Sequence, residues 1–210
     1  MRKIILPTAI LLLMGTSSAQ AETETPEPAK ENAYFEKIYK AKIALDNASE
    51  ALSKDYEKYG IFHPKVAEEY KVISNAYFTM GKLEQSIEYA MHALKVEMKL
   101  QKEDDPQLAK LYFDTGNKYY MFKQHPTAIL YMEKAAQVYN NGSGKGSLAL
   151  ADTYEAIASV YINLEDNEKS LAYAQKCLDI RKKKLPKKNK ALQRAQMNVD
   201  YLKEELKKEK

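Results

Sequence analysis

The side chains best suited to catalysis or metal binding are few: three histidines and one cysteine among 210 residues. His63 and His125 each precede a proline, and His92 follows Glu88 by four residues, which on a helix places both on one face. One such pair supplies two ligands, whereas a zinc site needs three or four. The single cysteine, Cys177, excludes an intramolecular disulfide and a multi-cysteine metal site. We therefore expect no metal and no cofactor.

The other motifs associated with enzymes are incomplete. The glycine-rich stretch 141–146 follows no predicted strand and lacks the Gly-Lys-Ser/Thr ending of a phosphate loop, so we interpret it as a flexible linker. The acidic pairs Glu68-Glu69 and Asp104-Asp105 are typical of solvated helix surface and helix N-termini. No Gly-x-Ser-x-Gly motif and no paired cysteine and histidine occurs. The sequence predicts a protein that is not an enzyme.

A basic run lies near the C-terminus, with seven basic residues and no acidic residue in the sequence RKKKLPKKNK. A solvated helix end is the favoured interpretation. The alternative is an electrostatic patch for an anionic membrane surface or an acidic protein. No aromatic residue interrupts the run to stack on bases, so we expect no nucleic acid partner. The patch residues are Arg181, Lys182, Lys183, Lys184, Lys187, Lys188 and Lys190.

Charge is uneven along the chain, whose overall net charge is +4. Residues 22–175 carry 18 basic and 24 acidic residues, whereas the segment from Lys176 onward carries 13 basic and five acidic residues. An acidic body with a basic tail gives no general argument for nucleic acid binding.

The first 21 residues have the layout of a secretory signal peptide: Arg2 and Lys3, an apolar run over 4–14, and the small-residue triplet 19–21. The apolar run is shorter than the roughly 20 residues that span a bilayer. We expect cleavage after Ala21 and a periplasmic or secreted protein. Residues 22–30 are polar and contain two prolines, which predicts a disordered leader.

Tyrosines and small residues recur every 42 residues, which is the signature of a stacked repeat. Apolar residues within each copy recur at helical spacing, and no alternating run is long enough for a strand. The recurring sets are Tyr70, Tyr112 and Tyr154; Tyr77, Tyr119 and Tyr161; Tyr89, Tyr131 and Tyr173; Ala67, Ala109 and Ala151; and Ser86, Ala128 and Ser170.

The same period fixes the predicted helix starts and therefore the domain layout. His63, Asp105, Ser147 and Asn189 each stand where a helix begins, and the last three are strong N-cap residues. We predict an all-α solenoid over 31–210. Its parts are a degenerate repeat at 31–58, repeats at 63–101, 105–141 and 147–184, and a capping helix at 189–208.

The recurring bulky and small residues resemble the pattern of the tetratricopeptide repeat (TPR). The 42-residue spacing and the His-Pro or Asp-Pro opening are similar to the longer variant found in kinesin light chains. The matching residues of one copy are Tyr70, Ile73, Ser74, Tyr77, Ser86, Ala90 and Ala93. The resemblance implies a right-handed α-α solenoid whose first helices, the A helices, line a concave groove for a peptide or a partner's helix. It favours a non-enzymatic adaptor of the exported bacterial type. The alternative is a sensor that responds to a ligand or peptide.

Helical spacing predicts which residues line that groove. The stripe of each A helix that faces away from the packed tyrosines carries an amide or hydroxyl and one large apolar group. The predicted groove residues are Lys71, Asn75, Phe78, Phe113, Asn117, Tyr120, Ser159 and Ile162, flanked by Lys110 and Met121.

Two questions about this stripe stay open at the level of sequence. Phe78, Tyr120 and Ile162 are also explained by packing against adjacent A helices. The family's clamp for a terminal carboxylate is suggested by Lys71, Asn75 and Lys110. However, Asp114 and Ala156 stand where that clamp needs an amide and a cation.

Overall fold

The computed structural model describes residues 28–208, which form eight α-helices in that range. The all-α prediction is confirmed. The predicted signal peptide and the leader up to residue 27 lie outside the described residues. The helices are α1 Pro28–Tyr59, α2 Pro64–Thr79, α3 Leu83–Leu100, α4 Pro106–Met121, α5 His125–Asn141, α6 Leu148–Asn163, α7 Asn167–Lys184 and α8 Lys190–Lys208.

Successive helices pack against one another in chain order, most extensively within the pairs α2/α3, α4/α5 and α6/α7. The turn inside each pair needs one residue in the left-handed region: Gly81 at φ 73°, Lys123 at φ 60° and Glu165 at φ 58°. These three positions are 42 residues apart, so the period of the sequence is also the period of the turn.

The predicted degenerate repeat 31–58 corresponds to a single helix, because α1 runs unbroken for 32 residues. The turn position that precedes Gly81 by 42 residues is Tyr39, and a bulky aromatic residue disfavours the left-handed conformation. Neither glycine nor proline occurs between residues 29 and 59, so the helix continues. It begins at Pro28, which places the last three residues of the predicted leader in its first turn.

Side chains cap the helices at the four predicted slots. His63 Nδ1 accepts from Lys65 N at 3.3 Å, Asp105 Oδ1 from Gln107 N at 2.7 Å, and Ser147 Oγ from Leu150 N at 3.1 Å. The fourth cap is Asn189, whose Oδ1 accepts from the Ala191 amide at 2.8 Å. His125 differs from His63, because it is the first residue of α5 and the N-cap position belongs to Gln124.

Small residues let the two helices of each pair approach closely. In the α2/α3 pair, Ser74 Oγ donates to Ser86 O at 2.6 Å and Ser86 Oγ donates to Ser74 O at 2.8 Å. Gly116 holds the Ser74 slot in α4, where an added Cβ would lie 2.8 Å from Met132 Cγ and 3.1 Å from Ala128 O. The recurring tyrosines stack beside this contact, with Tyr119 and Tyr131 ring centroids 5.3 Å apart.

The glycine-rich loop between α5 and α6 is packed rather than a simple flexible linker. A side chain at Gly142 would collide with the Asp104 carbonyl oxygen, and one at Gly144 would collide with the Tyr139 ring. Close approach to the preceding repeat therefore explains these glycines.

The last helix, α8, covers the end of the stack. Leu192, Ala195, Val199 and Leu202 of this helix are buried against α7. Cys177 of α7 lies in the same cluster at 2 % exposure, and burial raises the pKa of its thiol to about 11. The cysteine is therefore a small core residue with an unreactive thiol.

Candidate functional site

Five of the predicted groove residues line two separate cavities. Lys71 and Asn75 of α2 and Lys110 of α4 line a cleft of about 310 Å³, which we call the α2–α4 cleft. Ser159 and Ile162 of α6 line a separate, much smaller cavity of about 20 Å³ between α6, α7 and α8. The α2–α4 cleft is the larger of the two sites and contains more of the predicted polar groups.

Two of the predicted lysines in the α2–α4 cleft already have carboxylate partners. Lys71 Nζ lies 2.8 Å from Glu68 Oε2 and 3.1 Å from Oε1 of Glu97, whose side chain is 8 % exposed. Lys110 Nζ lies 2.6 Å from Asp114 Oδ2 on the same helix. Neither lysine therefore contributes an uncompensated charge to the cleft.

Among the described residues that line the cleft, the cation without a carboxylate partner is Lys118 of α4, which the sequence prediction missed. It is 7 % exposed, lines the same cleft, and donates from Nζ to Asn75 Oδ1 at 3.2 Å. The ammonium also lies 5.4 Å from the centroid of the Phe78 ring. Among the described residues, no carboxylate oxygen lies within 4.0 Å of it.

The electrostatics of Lys118 follow from its burial. Burial lowers the pKa of Lys118 below its usual value, the nearby positive charge of Lys110 lowers it further, and Asp114 partly offsets both effects. A buried ammonium that lacks a counter-charge has unsatisfied hydrogen-bonding capacity, because it carries three N–H donors. The cleft therefore offers a cation to a ligand oxygen, beside an amide and an aromatic ring.

A signal for Lys118 was present in the 42-residue period. The corresponding positions in the neighbouring copies are Ala76 and Val160, which are 4 % and 0 % exposed. A lysine in a slot that is otherwise small, apolar and buried departs from the packing pattern. The predicted groove stripe of α4 contains Asn117 and not the adjacent Lys118.

Other predicted groove residues serve as packing. Phe113 contacts two of the core clusters, and Tyr120 packs on the cluster formed by α5 and α6. Tyr120 Oη also accepts from Asn163 Nδ2 at 2.7 Å. Ser159 Oγ donates to the Glu155 carbonyl of its own helix at 3.0 Å.

Some stripe residues remain accessible. Phe78 is 37 % exposed, Ile162 is 44 % exposed and Met121 is 54 % exposed, while Asn117 is half-buried. Packing therefore explains Tyr120, whereas Phe78 and Ile162 keep surface that a ligand can reach.

The predicted basic patch loses one member in the structure, because Arg181 is 2 % exposed. Its guanidinium donates to Asp152 Oδ1 at 2.7 Å and to both carboxylate oxygens of Glu155, at 3.1 and 2.8 Å. Burial acts to raise the pKa of Glu155, but hydrogen bonds from Arg181 and Arg194 outweigh it and lower the pKa. Arg181 therefore links α6 to α7 rather than facing solvent, while the six lysines of the patch are exposed.

Within residues 28–208, the structure contains no group of three or more His, Cys, Asp or Glu residues arranged to hold a metal ion. His92 instead stacks on Tyr70, with ring centroids 5.2 Å apart. In the same range, no helix is both long enough and apolar enough to span a membrane.

Comparisons with known proteins match this architecture. Two family models described as tetratricopeptide repeat match residues 67–141 and 151–184, which together make up just over half of the chain. A comparison with curated protein sequences gives no significant match.

Solved structures with the same fold include the nearly identical TPR-like repeats named for a kinesin light chain of Podosopora anserina. That structure has a TM-score of 0.68 and 11 % identity, and the match covers 85 % of this chain and 87 % of that one. BtubC (BKLC) from P. vanneervenii matches with a TM-score of 0.60 and 15 % identity, over 81 % and 83 % of the two chains. The apo form of RapI matches with a TM-score of 0.61 and 18 % identity, over 84 % and 65 %. At these identities the likeness concerns the fold.

Proposed function

The chain belongs to the tetratricopeptide repeat family, and on that premise we propose that it is a non-enzymatic adaptor that holds a segment of a partner protein in the α2–α4 cleft. Repeats of this family generally act as protein–protein interaction modules. The cleft lies between the first helices of two successive repeats, and Glu68 and Lys110 at its rim are exposed. An open cleft suits an extended segment better than an enclosed metabolite, which favours an adaptor over a ligand sensor.

The observation that carries this proposal is the buried ammonium of Lys118. Asn75 uses its carbonyl oxygen to accept from Lys118, and its two N–H donors have no partner among the described residues. A backbone carbonyl or another ligand oxygen that enters the cleft would meet both groups. Phe78 supplies an apolar surface beside them for the neighbouring side chain of the ligand.

The place of action that we propose is the periplasm or the exterior of the cell. The charged start, the apolar run and the small-residue triplet of residues 1–21 support it. Mass spectrometry of the protein purified from the native envelope tests this directly, because cleavage after Ala21 leaves Glu22 as the first residue.

Photocrosslinking tests the position of the partner. A benzoylphenylalanine at Phe78 should capture the partner, whereas the same probe at Met98 of α3, which is 54 % exposed and lies outside the cleft, should not. With the captured partner in hand, Lys118→Met and Asn75→Ala should each weaken binding. Hydrogen bonds worth about 0.5–3 kcal/mol correspond to a loss of roughly twofold to a hundredfold. Equal crosslinking from both positions, or unchanged affinity, would refute the cleft as the contact site.

A further inference from the structure

The six lysines at 182–190 form a surface whose charge nothing in the described structure neutralises. All six are exposed, the segment contains no acidic residue, and no ion pair within the described residues involves them. Arg181, which begins the same run, is instead buried and paired with carboxylates of α6. The structure thus separates one structural arginine from six free lysines.

An apolar cleft lies among these lysines. A helix end that is merely solvated does not require such a cleft. Its volume is about 590 Å³, and it lies between the end of α7 and the face of α8. Leu185, Leu192 and Met197 line it, with Lys182 and Lys187 beside them. Met197 is 63 % exposed, although it belongs to the helix that ends the stack. We call these five residues the C-terminal cleft.

We propose that the C-terminal cleft is a second docking surface, which binds an acidic segment of a partner protein by one apolar anchor side chain flanked by carboxylates. The anchor enters between Leu192 and Met197, and the carboxylates meet Lys182 and Lys187. Burial of the anchor supplies affinity, while the charges set its position and the rate of association.

The shape and the charge of α8 favour a protein segment over an anionic membrane. A bilayer surface is engaged by apolar groups that protrude, whereas this cleft is concave and receives a group. The exposed face of α8 also carries Asp200 and Glu204, which anionic headgroups repel. A short segment needs to cover only the cleft, whose lining contains Gln193 and Gln196 but no carboxylate.

The two docking surfaces are independent, because the α2–α4 cleft and the C-terminal cleft share no residue. The tail therefore turns a single-site binder into an adaptor that joins two proteins. If binding at the α2–α4 cleft were disproved, the proposal for the C-terminal cleft would still stand. If binding at the C-terminal cleft were disproved, the proposal for the α2–α4 cleft would still stand.

Fluorescence anisotropy with the full mature chain tests the inference. The probe is a labelled peptide, Glu-Asp-Glu-Leu-Phe-Glu-Asp-Glu, and its matched control replaces the Leu-Phe pair by Ser-Gly. Lys182→Gln with Lys187→Gln should weaken binding of the probe about tenfold at low salt, and by less at about 0.15 M, where screening acts over about 8 Å. Met197→Ser should weaken it about fivefold at either salt concentration, because the lost contact is apolar.

The matched control variant is Lys95→Gln with Lys99→Gln on α3, which removes the same charge from exposed positions elsewhere and should leave binding unchanged. Three results would overturn the inference: no binding of the probe at low salt, equal binding of the Ser-Gly control peptide, or equal loss in the α3 variant. Vesicles of phosphatidylcholine and phosphatidylserine form the remaining arm. Tighter binding to these vesicles than to the probe would show that the patch is a membrane surface, which also overturns it.

Discussion

Replacement of Lys118 by methionine should stabilise the protein while it weakens partner binding. The lysine is 7 % exposed, and burial lowers its pKa, so its charged form is less favourable in the folded than in the unfolded state. Methionine has a similar length, and the corresponding slots hold the apolar residues Ala76 and Val160. We therefore expect the relief of burial to exceed the lost hydrogen bond to Asn75 and the lost contact with Phe78.

The magnitude follows from the balance of these contributions. Replacing a buried ion pair by apolar residues is often neutral or gains about 1–4 kcal/mol, and an unpaired buried charge lacks even the attraction of a partner, whereas a hydrogen bond to a charged group contributes about 1.5–3 kcal/mol. We expect a net gain of about 1 kcal/mol in the free energy of unfolding. For a domain of this length, that gain raises the melting temperature by about 2–4 °C.

The gain should also depend on pH in a defined direction. Between the lowered pKa of Lys118 and its ordinary value of 10.5, the unfolded state binds more protons than the folded state. The parent therefore gains stability as the pH rises through this window, and the methionine variant lacks this contribution. The difference between their melting temperatures should narrow as the pH rises toward 10.5.

Urea and thermal denaturation of the two proteins measure both effects. Lys95→Met is the matched control, because Lys95 is an exposed lysine of α3 that does not line the cleft, so its replacement should give no gain. A less stable Lys118→Met variant would show that the Asn75 hydrogen bond and the Phe78 ring outweigh the cost of burial. The reasoning that makes Lys118 a ligand-binding group would then be wrong.

Two further substitutions test the packing. Gly116→Leu should lower the free energy of unfolding by about 1–3 kcal/mol, because even its Cβ would lie 2.8 Å from Met132 Cγ. An unchanged urea midpoint would mean that the α4/α5 contact is misassigned. Arg181→Ala should cost about 3–5 kcal/mol, because it leaves Glu155 without its main buried partner. In the parent, the stability that comes from this pair should disappear as the pH falls below 4.5 through the lowered pKa of Glu155. Arg181→Ala should show a smaller acid-dependent loss, because only Arg194 still donates to Glu155. An acid-denaturation curve of the same shape for both proteins would contradict that assignment.

The sequence predicted the repeats well because one period fixes several independent features. Asp105 and Ser147 cap their helices, and Ala67, Ala109 and Ala151 are all 0 % exposed. At α1, the aligned alanines predicted a degenerate half repeat, and the structure has one unbroken helix there. Those alanines indicate only which face of α1 packs on the next repeat. Whether the chain turns depends on Tyr39, whose bulky side chain disfavours the left-handed conformation that Gly81 adopts one repeat later.

The binding surface was predicted less well, because helical spacing locates a face of a helix but not the neighbours of that face. Phe78 and Tyr120 hold the same slot one repeat apart, yet Tyr120 packs on the cluster of α5 and α6 and Phe78 remains accessible. The difference depends on how α4 packs against α5 and α6, which spacing alone does not encode.

One slot of the first helices α2, α4 and α6 is held by Lys71, Phe113 and Glu155. The facing slot of the second helices α3, α5 and α7 is held by Glu97, Tyr139 and Arg181. The first pair is Lys71 with Glu97, and the third reverses the signs as Glu155 with Arg181. The middle pair is aromatic and lies in the core. Because the aromatic pair fills the same place, the solenoid does not require charged residues there. In each outer pair, the two opposite charges neutralise each other. Lys118 differs from all of them, because it is a buried cation without a carboxylate partner among the described residues, and this is the reason to seek its partner in another molecule.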